Sequence, residues 1–169
     1  LSSAHDPSLR LQAAGHGSFV QHVDGSWSLA HLCRRPLANG RSILGRETAM
    51  QDIEWIDGWP RLARGGHSPA DIFSAPDLPA HPWPALPQRD DFDAPELGPH
   101  WQSPRAPIDT DMASLDARPG FLRLYGRESI VSRFEQSLLA RRQQAFRIEA
   151  STCVEFSPED FQQMAGLVA

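Results

Sequence analysis

The sequence of 169 residues contains no lysine, only two cysteines and no apolar run long enough to cross a bilayer. Its 16 basic residues are all arginines and are outnumbered by 21 acidic residues, which gives a formal net charge of −5. Such a chain lacks the basic surface that binds nucleic acid, so we expect neither nucleic acid nor a membrane as a partner. Cys33 and Cys153 lie far apart and neither has the neighbouring ligands of a metal motif, so two free thiols are expected.

The chain begins at Leu1 instead of a methionine, and nothing near it has the residue order of a signal peptide. We therefore expect an interior piece of a larger protein, in which the end of one all-β domain is joined to the start of another. A cytoplasmic location is expected from the lack of an export signal in these residues, although a truncated start would remove such a signal.

Short alternating runs separated by turn signals fill the N-terminal third of the chain. Residues 18–23 and 27–32 flank one Asp-Gly step at 24–25, and residues 48–56 precede a second at 57–58. Asp-Gly between alternating runs predicts a hairpin with a type I′ turn, which needs positive φ at both central residues. Four short antiparallel strands predict one blade of a β-propeller, and a barrel or sandwich would contain the same pattern.

Prolines recur between residues 65 and 89, where they exclude regular helices and strands. We expect a linker there, between a domain end at 1–64 and a domain start at 90–169. The linker also carries apolar side chains, which predict that it lies against a surface. These side chains are Ile72, Phe73, Trp83 and Leu86.

Strand patterning returns after the linker. Residues 121–125 follow a Pro-Gly turn, residues 146–156 alternate apolar with polar side chains, and residues 161–168 read as one more strand. We expect these strands to form a different sheet from the N-terminal meander. The predicted fold is all-β: the last part of a propeller, a proline-rich linker and an incomplete β-sandwich.

Two residues are candidates for binding a ligand. His16 stands between Gly15 and Gly17, where backbone freedom lets an imidazole face a cavity, and the same residues would form an ordinary turn. Arg46 begins a predicted strand, where its guanidinium could donate a fork of hydrogen bonds to a substrate. The alternative for Arg46 is a structural ion pair with Glu47 or Glu54.

Other residue groups favour a structural explanation. Histidines 16, 22 and 31 lack ligand spacing, and the acidic group at residues 90–96 lacks the spacing of a calcium loop, so no metal site is expected. The five tryptophans could stack on sugars, but tryptophan in strands is more often part of a core.

Stretches on both sides of the linker carry a resemblance to a known family. Before the linker these are AGHGSFV at 14–20, HLCRRPL at 31–37, LGRET at 44–48 and EWIDGWP at 54–60. After it they are DFD at 91–93, HW at 100–101, RPGFLRL at 118–124, SRF at 132–134 and RRQQ at 141–144. In this order they resemble glycoside hydrolase family 43, in its β-xylosidase branch. Arg34 departs from the pattern, because relatives commonly have glycine there.

The resemblance implies a five-bladed propeller followed by a concanavalin-like β-sandwich that forms part of the wall of a dead-end pocket. It implies removal of terminal β-1,4-linked xylose by inversion, with α-L-arabinofuranose as a second substrate, by an aspartate base, a glutamate acid and a second aspartate that tunes the acid. None of these carboxylates matches a residue of this chain. His16 matches the histidine at the cavity floor, and Arg46 matches the arginine that bonds the terminal sugar.

The expected partner is therefore a xylo-oligosaccharide or pentoside in the complete protein, with no cofactor and with a homo-oligomer left open. Two alternatives are a noncatalytic sugar-binding or domain-interface module and an inactive truncated fragment. We expect the chain alone to lack glycosidase activity, since a glycosidase of this kind needs an acid and a base on opposite faces of the sugar.

Overall fold

The computed structural model describes residues 1–169 and is all-β, as predicted. Its strands are β1 (Gln12–Gln21), β2 (Trp27–Arg34), β3 (Glu47–Ile56), β4 (Trp59–Leu62), β5 (Ala113–Ser114) and β6 (Arg123–Leu124). None of its segments forms a helix capable of spanning a membrane.

Two compact units make up the chain. The first contains residues 1–80 with residues 143–147, and the second contains residues 81–142 with residues 148–169. The finer boundaries expected from the sequence, at 1–64, 65–89 and 90–169, stay a prediction.

The first unit is built on a four-stranded antiparallel meander in the order β1-β2-β3-β4. Leu29 of β2 lies opposite Phe19 of β1 and Gln51 of β3, and Ile53 lies opposite Leu62 of β4. The predicted meander is confirmed, and residues 48–56 form a strand within β3 as the blade assignment requires.

The two hairpins are closed by different turns. Asp57 and Gly58 both have positive φ, at 51° and 77°, which confirms the type I′ turn between β3 and β4. The β1–β2 connection differs, because only Gly25 has positive φ there and five residues separate the strands. The Gly25 N–H donates to the His22 carbonyl at 3.0 Å, so a longer loop ending in a left-handed glycine replaces the expected two-residue turn.

The core of this unit lies mainly on one face of the meander. Direct partners across a ladder share a face, which places Leu29, Ile53 and Cys33 together with the buried polar residues His31 and Gln51. Three rings follow on the same face, with 5.6 Å between the centroids of Phe19 and Trp55 and 5.5 Å between those of Trp27 and Trp55.

Two irregular segments are hydrogen-bonded within this unit. The Ser2 N–H donates to the His67 carbonyl at 2.7 Å, and the Ala14 N–H donates to the buried Ser3 hydroxyl at 3.0 Å. The Ala70 N–H donates to Gln51 Oε1 on β3 at 2.8 Å. The residues after β4 therefore return to the sheet although they form no strand.

The second unit has little regular structure. Strands β5 and β6 pair with each other over two residues each, apart from the first sheet, and the Tyr125 N–H extends this pairing to the Met112 carbonyl at 3.0 Å. The expected second sheet is therefore confirmed for part of residues 121–125. Met112 and Ala113 are its buried apolar residues.

Two predicted strands of this region are wrong. Residues 146–156 and residues 161–168 contain no strand. Alternation shows which face a strand would bury, but a strand also needs a neighbour for its backbone groups, and neither segment has one in the sheet pairings. Phe146 instead lies 4.9 Å under the Arg35 guanidinium in the first unit.

The linker contains no strand or helix, as predicted from its prolines. The expected burial of its apolar side chains is wrong for Ile72, Trp83 and Leu86, all of which are exposed, while Phe73 is half-buried. Prolines prevent the segment from pairing with a strand, and no strand or helix of the chain packs over these three side chains.

Candidate functional site

His16 lies in an irregularity of β1. Register shifts on both sides of Gly15 leave His16 and Gly17 opposite a single residue of β2, His31. His16 has φ of 51°, in the left-handed region, and its side chain is exposed. A non-glycine residue with this φ is strained unless its surroundings hold it, and such positions cluster at functional sites.

The neighbouring glycine is needed for close approach. A Cβ added at Gly17 would stand 2.5 Å from Leu29 Cδ1 of β2, which is buried. No heavy atom lies within 4 Å of a Cβ added at Gly15. Gly17 therefore lets β1 approach β2 closely, while His16, in the same irregularity, stays exposed.

Arg46 is held between two anchored residues. Gly45 turns the chain with φ of 67°, and its N–H donates to the Ser42 carbonyl at 3.0 Å. Leu44 on one side is buried, and Glu47 on the other begins β3. The Arg46 side chain is exposed and starts from a fixed backbone.

Glu47 forms a two-pronged ion pair with Arg35, which follows β2. Arg35 Nη2 and Nε donate to Glu47 Oε1 at 2.6 and 3.1 Å, and Nε also donates to Oε2 at 3.0 Å. The carboxylate holds the pKa of the Arg35 guanidinium above its ordinary value. The pair fixes the end of β2 to the start of β3, directly beside Arg46.

His16 and Arg46 lie toward the same end of the meander. Gly15, Leu32 and Thr48 form one row across β1, β2 and β3, with His16 one residue beyond the row and Arg46 two residues before it. Two strand spacings of about 4.8 Å and three residue steps of about 3.3 Å put their Cα atoms roughly 14 Å apart. That both side chains face one cavity stays a prediction.

A Ser-His-Asp group occurs in the sheet but is not arranged as a nucleophile. His22 Nε2 lies 2.8 Å from Ser28 Oγ, and Ser28 Oγ lies 3.3 Å from Asp52 Oδ1. In a catalytic triad the carboxylate orients the histidine, whereas here it contacts the serine. Ser28 is fully buried, so this chain of hydrogen bonds is structural.

No three potential metal-binding residues come together. The structure contains no group of three or more His, Cys, Asp or Glu side chains suited to an ion. His31 is buried with Nδ1 at 3.0 Å from the Leu32 carbonyl, which fixes the proton on Nδ1 because a carbonyl only accepts. That no metal binds stays a prediction.

In the second unit, Asp90 organises a small cluster. Trp101 Nε1 donates to Asp90 Oδ2 at 2.7 Å, and this bond lowers the pKa of the Asp90 carboxyl, with a smaller lowering from the Phe92 N–H. His100 Nε2 lies 3.6 Å from the same oxygen, beyond good hydrogen-bond distance. The acidic group is thus engaged with protein donors.

The five tryptophans differ in exposure, which bears on whether they pack in a core or could stack on sugars. Trp27 and Trp101 are half-buried, whereas Trp55, Trp59 and Trp83 are exposed. The expectation that tryptophan belongs to the core is therefore wrong for three of the five.

Sequence reasoning missed one partner of Glu47, and the expected pair of Glu47 with Arg46 stays a prediction. The carboxylate pairs with Arg35, 12 residues earlier in the chain. The register of β2 on β3 places Cys33 opposite Glu47, so Arg35 can reach it, but only a known register would have revealed this.

Comparison with known proteins covers both halves of the chain. The family model of glycosyl hydrolases family 43 matches residues 1–60, and the model of the β-xylosidase C-terminal concanavalin A-like domain matches residues 89–169. The meander therefore matches part of a glycosyl hydrolase domain, and the segment after the linker matches a concanavalin A-like domain. The chain belongs to glycoside hydrolase family 43.

Individual relatives agree with this assignment. A xylan 1,3-β-xylosidase of a Vibrio species is 42% identical over 100% of this chain and 34% of its own length. The non-reducing end α-L-arabinofuranosidase BoGH43B of Bacteroides ovatus is 39% identical over 99% of this chain and 32% of its own length. The crystal structure of xylan β-1,4-xylosidase from Bacillus halodurans C-125 is 51% identical with a TM-score of 0.80, over 86% of this chain and 28% of that one. The chain spans about one third of the length of the curated relatives it matches.

Proposed function

We propose that this chain supplies part of the sugar-binding wall of a glycosidase that removes terminal β-1,4-linked xylose by inversion. The observation that carries the proposal is the placement of His16 in a strained bulge and of Arg46 on an anchored backbone, toward one end of a propeller blade. Both residues match family positions that contact the sugar. The proposed hydrolysis uses an acid and a base from outside these 169 residues.

The linkage and the sugar are the finer parts of the proposal. Relatives of this chain are named for β-1,3-xyloside, β-1,4-xyloside and α-L-arabinofuranoside hydrolysis. The β-1,4 xyloside is chosen because the structure named for it has the higher identity to this chain, at 51%. Arabinofuranoside hydrolysis is the proposed second activity.

In this site Arg46 would bind and orient the substrate. A guanidinium offers several N–H donors in a fixed plane, so it can donate to two neighbouring hydroxyls of a terminal sugar. An imidazole at His16 would contact the sugar from below and exclude water from one side. Orientation of this kind lowers the entropy cost of the reaction but moves no proton.

The carboxylates of this chain near the site do not fit the catalytic roles. Glu47 is held in the ion pair with Arg35, and Asp52 is hydrogen-bonded to buried Ser28. We therefore propose that purified chain of 18.7 kDa leaves nitrophenyl xyloside and nitrophenyl arabinofuranoside intact. Turnover that is lost in Glu47→Gln would overturn this part of the proposal.

The binding role is tested in the longer protein that contains this chain. Arg46→Ala should lower kcat/KM for nitrophenyl β-xyloside by roughly 10-fold to 150-fold, since a hydrogen-bonded charge contributes on the order of 1.5–3 kcal/mol. Arg41→Ala is the matched control, because Arg41 is an exposed arginine of the same β2–β3 connection. Equal kinetics for the two variants would contradict the role of Arg46.

A further inference from the structure

Phe146 lies beside the end of β2, although the two are far apart in the sequence. It falls within residues 89–169, which match the concanavalin A-like domain, but in the structure residues 143–147 belong to the first unit. The Arg35 guanidinium lies over its ring, with 4.9 Å between Cζ and the ring centroid. At this distance a guanidinium is attracted to the face of an aromatic ring. A residue from after the linker therefore contacts the end of β2.

The Arg35 guanidinium is held by two different groups. Its Nε and Nη2 donate to the Glu47 carboxylate, and the same guanidinium lies over the Phe146 ring. Arg35 also borders a cavity of about 410 Å³, which is lined in addition by Pro36, Leu37 and Phe146. Because a cavity adjoins the side chain, close packing does not fix it on that side. The carboxylate and the ring are therefore the groups that restrict the guanidinium.

Glu47 lies at the end of the β2–β3 ladder, next to Arg46. It forms the last pair of this ladder, with Cys33, and the ends of strands open more readily than their centres. On its other side Arg46 follows Gly45, whose φ is 67°, and glycine restricts the backbone less than any other residue. The ion pair on Glu47 therefore contributes to the restraint on the backbone that carries Arg46.

We infer that three residues form a relay that positions Arg46 for the terminal sugar. They are Phe146, Arg35 and Glu47. The ring holds the guanidinium, the guanidinium holds the carboxylate, and the carboxylate fixes the start of β3. All three are positioning residues, and none of them contacts the sugar. The consequence for the sugar rests on the proposed function, whereas the relay itself rests on these contacts alone.

The relay is tested first by NMR of the ¹⁵N-labelled 169-residue chain. Phe146→Leu keeps an apolar side chain but removes the aromatic face. Hydrogen exchange of the Arg35 Nε–H, which donates to Glu47, should therefore become roughly twofold to fivefold faster. Phe146→Tyr keeps the aromatic face and should keep the wild-type rate. Equal exchange rates in Phe146→Leu and Phe146→Tyr would overturn the inference.

The consequence for the sugar is tested in the longer protein that contains this chain. Phe146→Leu should lower kcat/KM for nitrophenyl β-xyloside by roughly twofold to fivefold, whereas Phe146→Tyr should stay close to wild type. In an Arg46→Ala background Phe146→Leu should cause no further loss, because the relay acts through Arg46. A loss of the same size in both backgrounds would show that Phe146 has only a structural role, and this would overturn the inference.

The two experiments separate this inference from the proposed function. If Arg46→Ala lowers kcat/KM but Phe146→Leu changes neither kcat/KM nor the Arg35 exchange rate, the proposed function stands and the relay is overturned. If Arg46→Ala leaves kcat/KM unchanged while Phe146→Leu speeds the exchange, the relay is supported and the sugar-binding role of Arg46 is overturned. Phe161→Leu is the matched control, because Phe161 is an exposed phenylalanine of the same chain and should change neither quantity.

Discussion

Replacing Glu47 by glutamine should loosen the part of the sheet that carries Arg46. The substitution keeps the size of the side chain but removes the charge that Arg35 binds with Nε and Nη2. The two side chains are 32% and 22% exposed, which places the pair between exposed ion pairs and buried ones. We expect a loss of about 1 to 2 kcal/mol, less than for a buried pair because solvent screens part of the attraction.

Native-state hydrogen exchange of the β2 and β3 amides is the assay, because it reports this sheet without the second unit. A loss of this size should raise their exchange rates by roughly fivefold to thirtyfold. The increase should be smaller in concentrated salt, which screens the wild-type pair.

Glu54→Gln is the matched control for this prediction. Glu54 is an exposed carboxylate on the same strand and forms no ion pair, so its replacement should change the exchange rates by less than about twofold. Equal rates for Glu47→Gln and Glu54→Gln would refute the argument that the Arg35 pair holds β2 and β3 together.

Three other perturbations test separate parts of the structure. Gly17→Ala should lower the free energy of unfolding by about 1–3 kcal/mol through a clash with a buried leucine, and Gly15→Ala, which meets no atom, should cost less in the same thermal melt. With Ellman's reagent, Cys153 should react at once and Cys33 only after denaturation, because burial encloses the Cys33 thiol and raises its pKa; two fast thiols would contradict this. The pKa of Asp90 is lowered, so its stabilising bond to the Trp101 indole should persist above pH about 4 and be lost as pH falls through the lowered pKa. The NMR signal of the indole N–H should therefore shift in this acid range, and Asp90→Asn should abolish the shift.

The meander was predictable because its signals are local. The Asp-Gly step at 57–58 determines a type I′ turn through the φ angles of two residues, and alternation then fixes which side chains of β3 share a face. The β1–β2 turn was less predictable, because the same dipeptide also fits a longer loop in which only Gly25 is left-handed.

The second unit could not be predicted from alternation alone. Residues 146–156 have a clear two-residue period, but a strand also requires a partner strand, and sequence spacing does not identify one. The predicted burial of the apolar linker side chains was wrong for a similar reason, since apolar composition indicates burial without indicating what would cover the side chain. The ion pair of Glu47 depends on register, which becomes known only in three dimensions.

The two outer strands of the meander have a consequence for self-association. On β4, Pro60 has no N–H, and proline is tolerated in a ladder where its nitrogen faces away from the partner strand, so the outer side of β4 lacks a donor. On β1, the register shifts around Gly15 interrupt the row of backbone groups that another strand would need. Neither edge strand offers an uninterrupted row of backbone donors and acceptors to another strand. The sheet therefore resists growth into fibrils by strand addition, although it exposes several aromatic side chains.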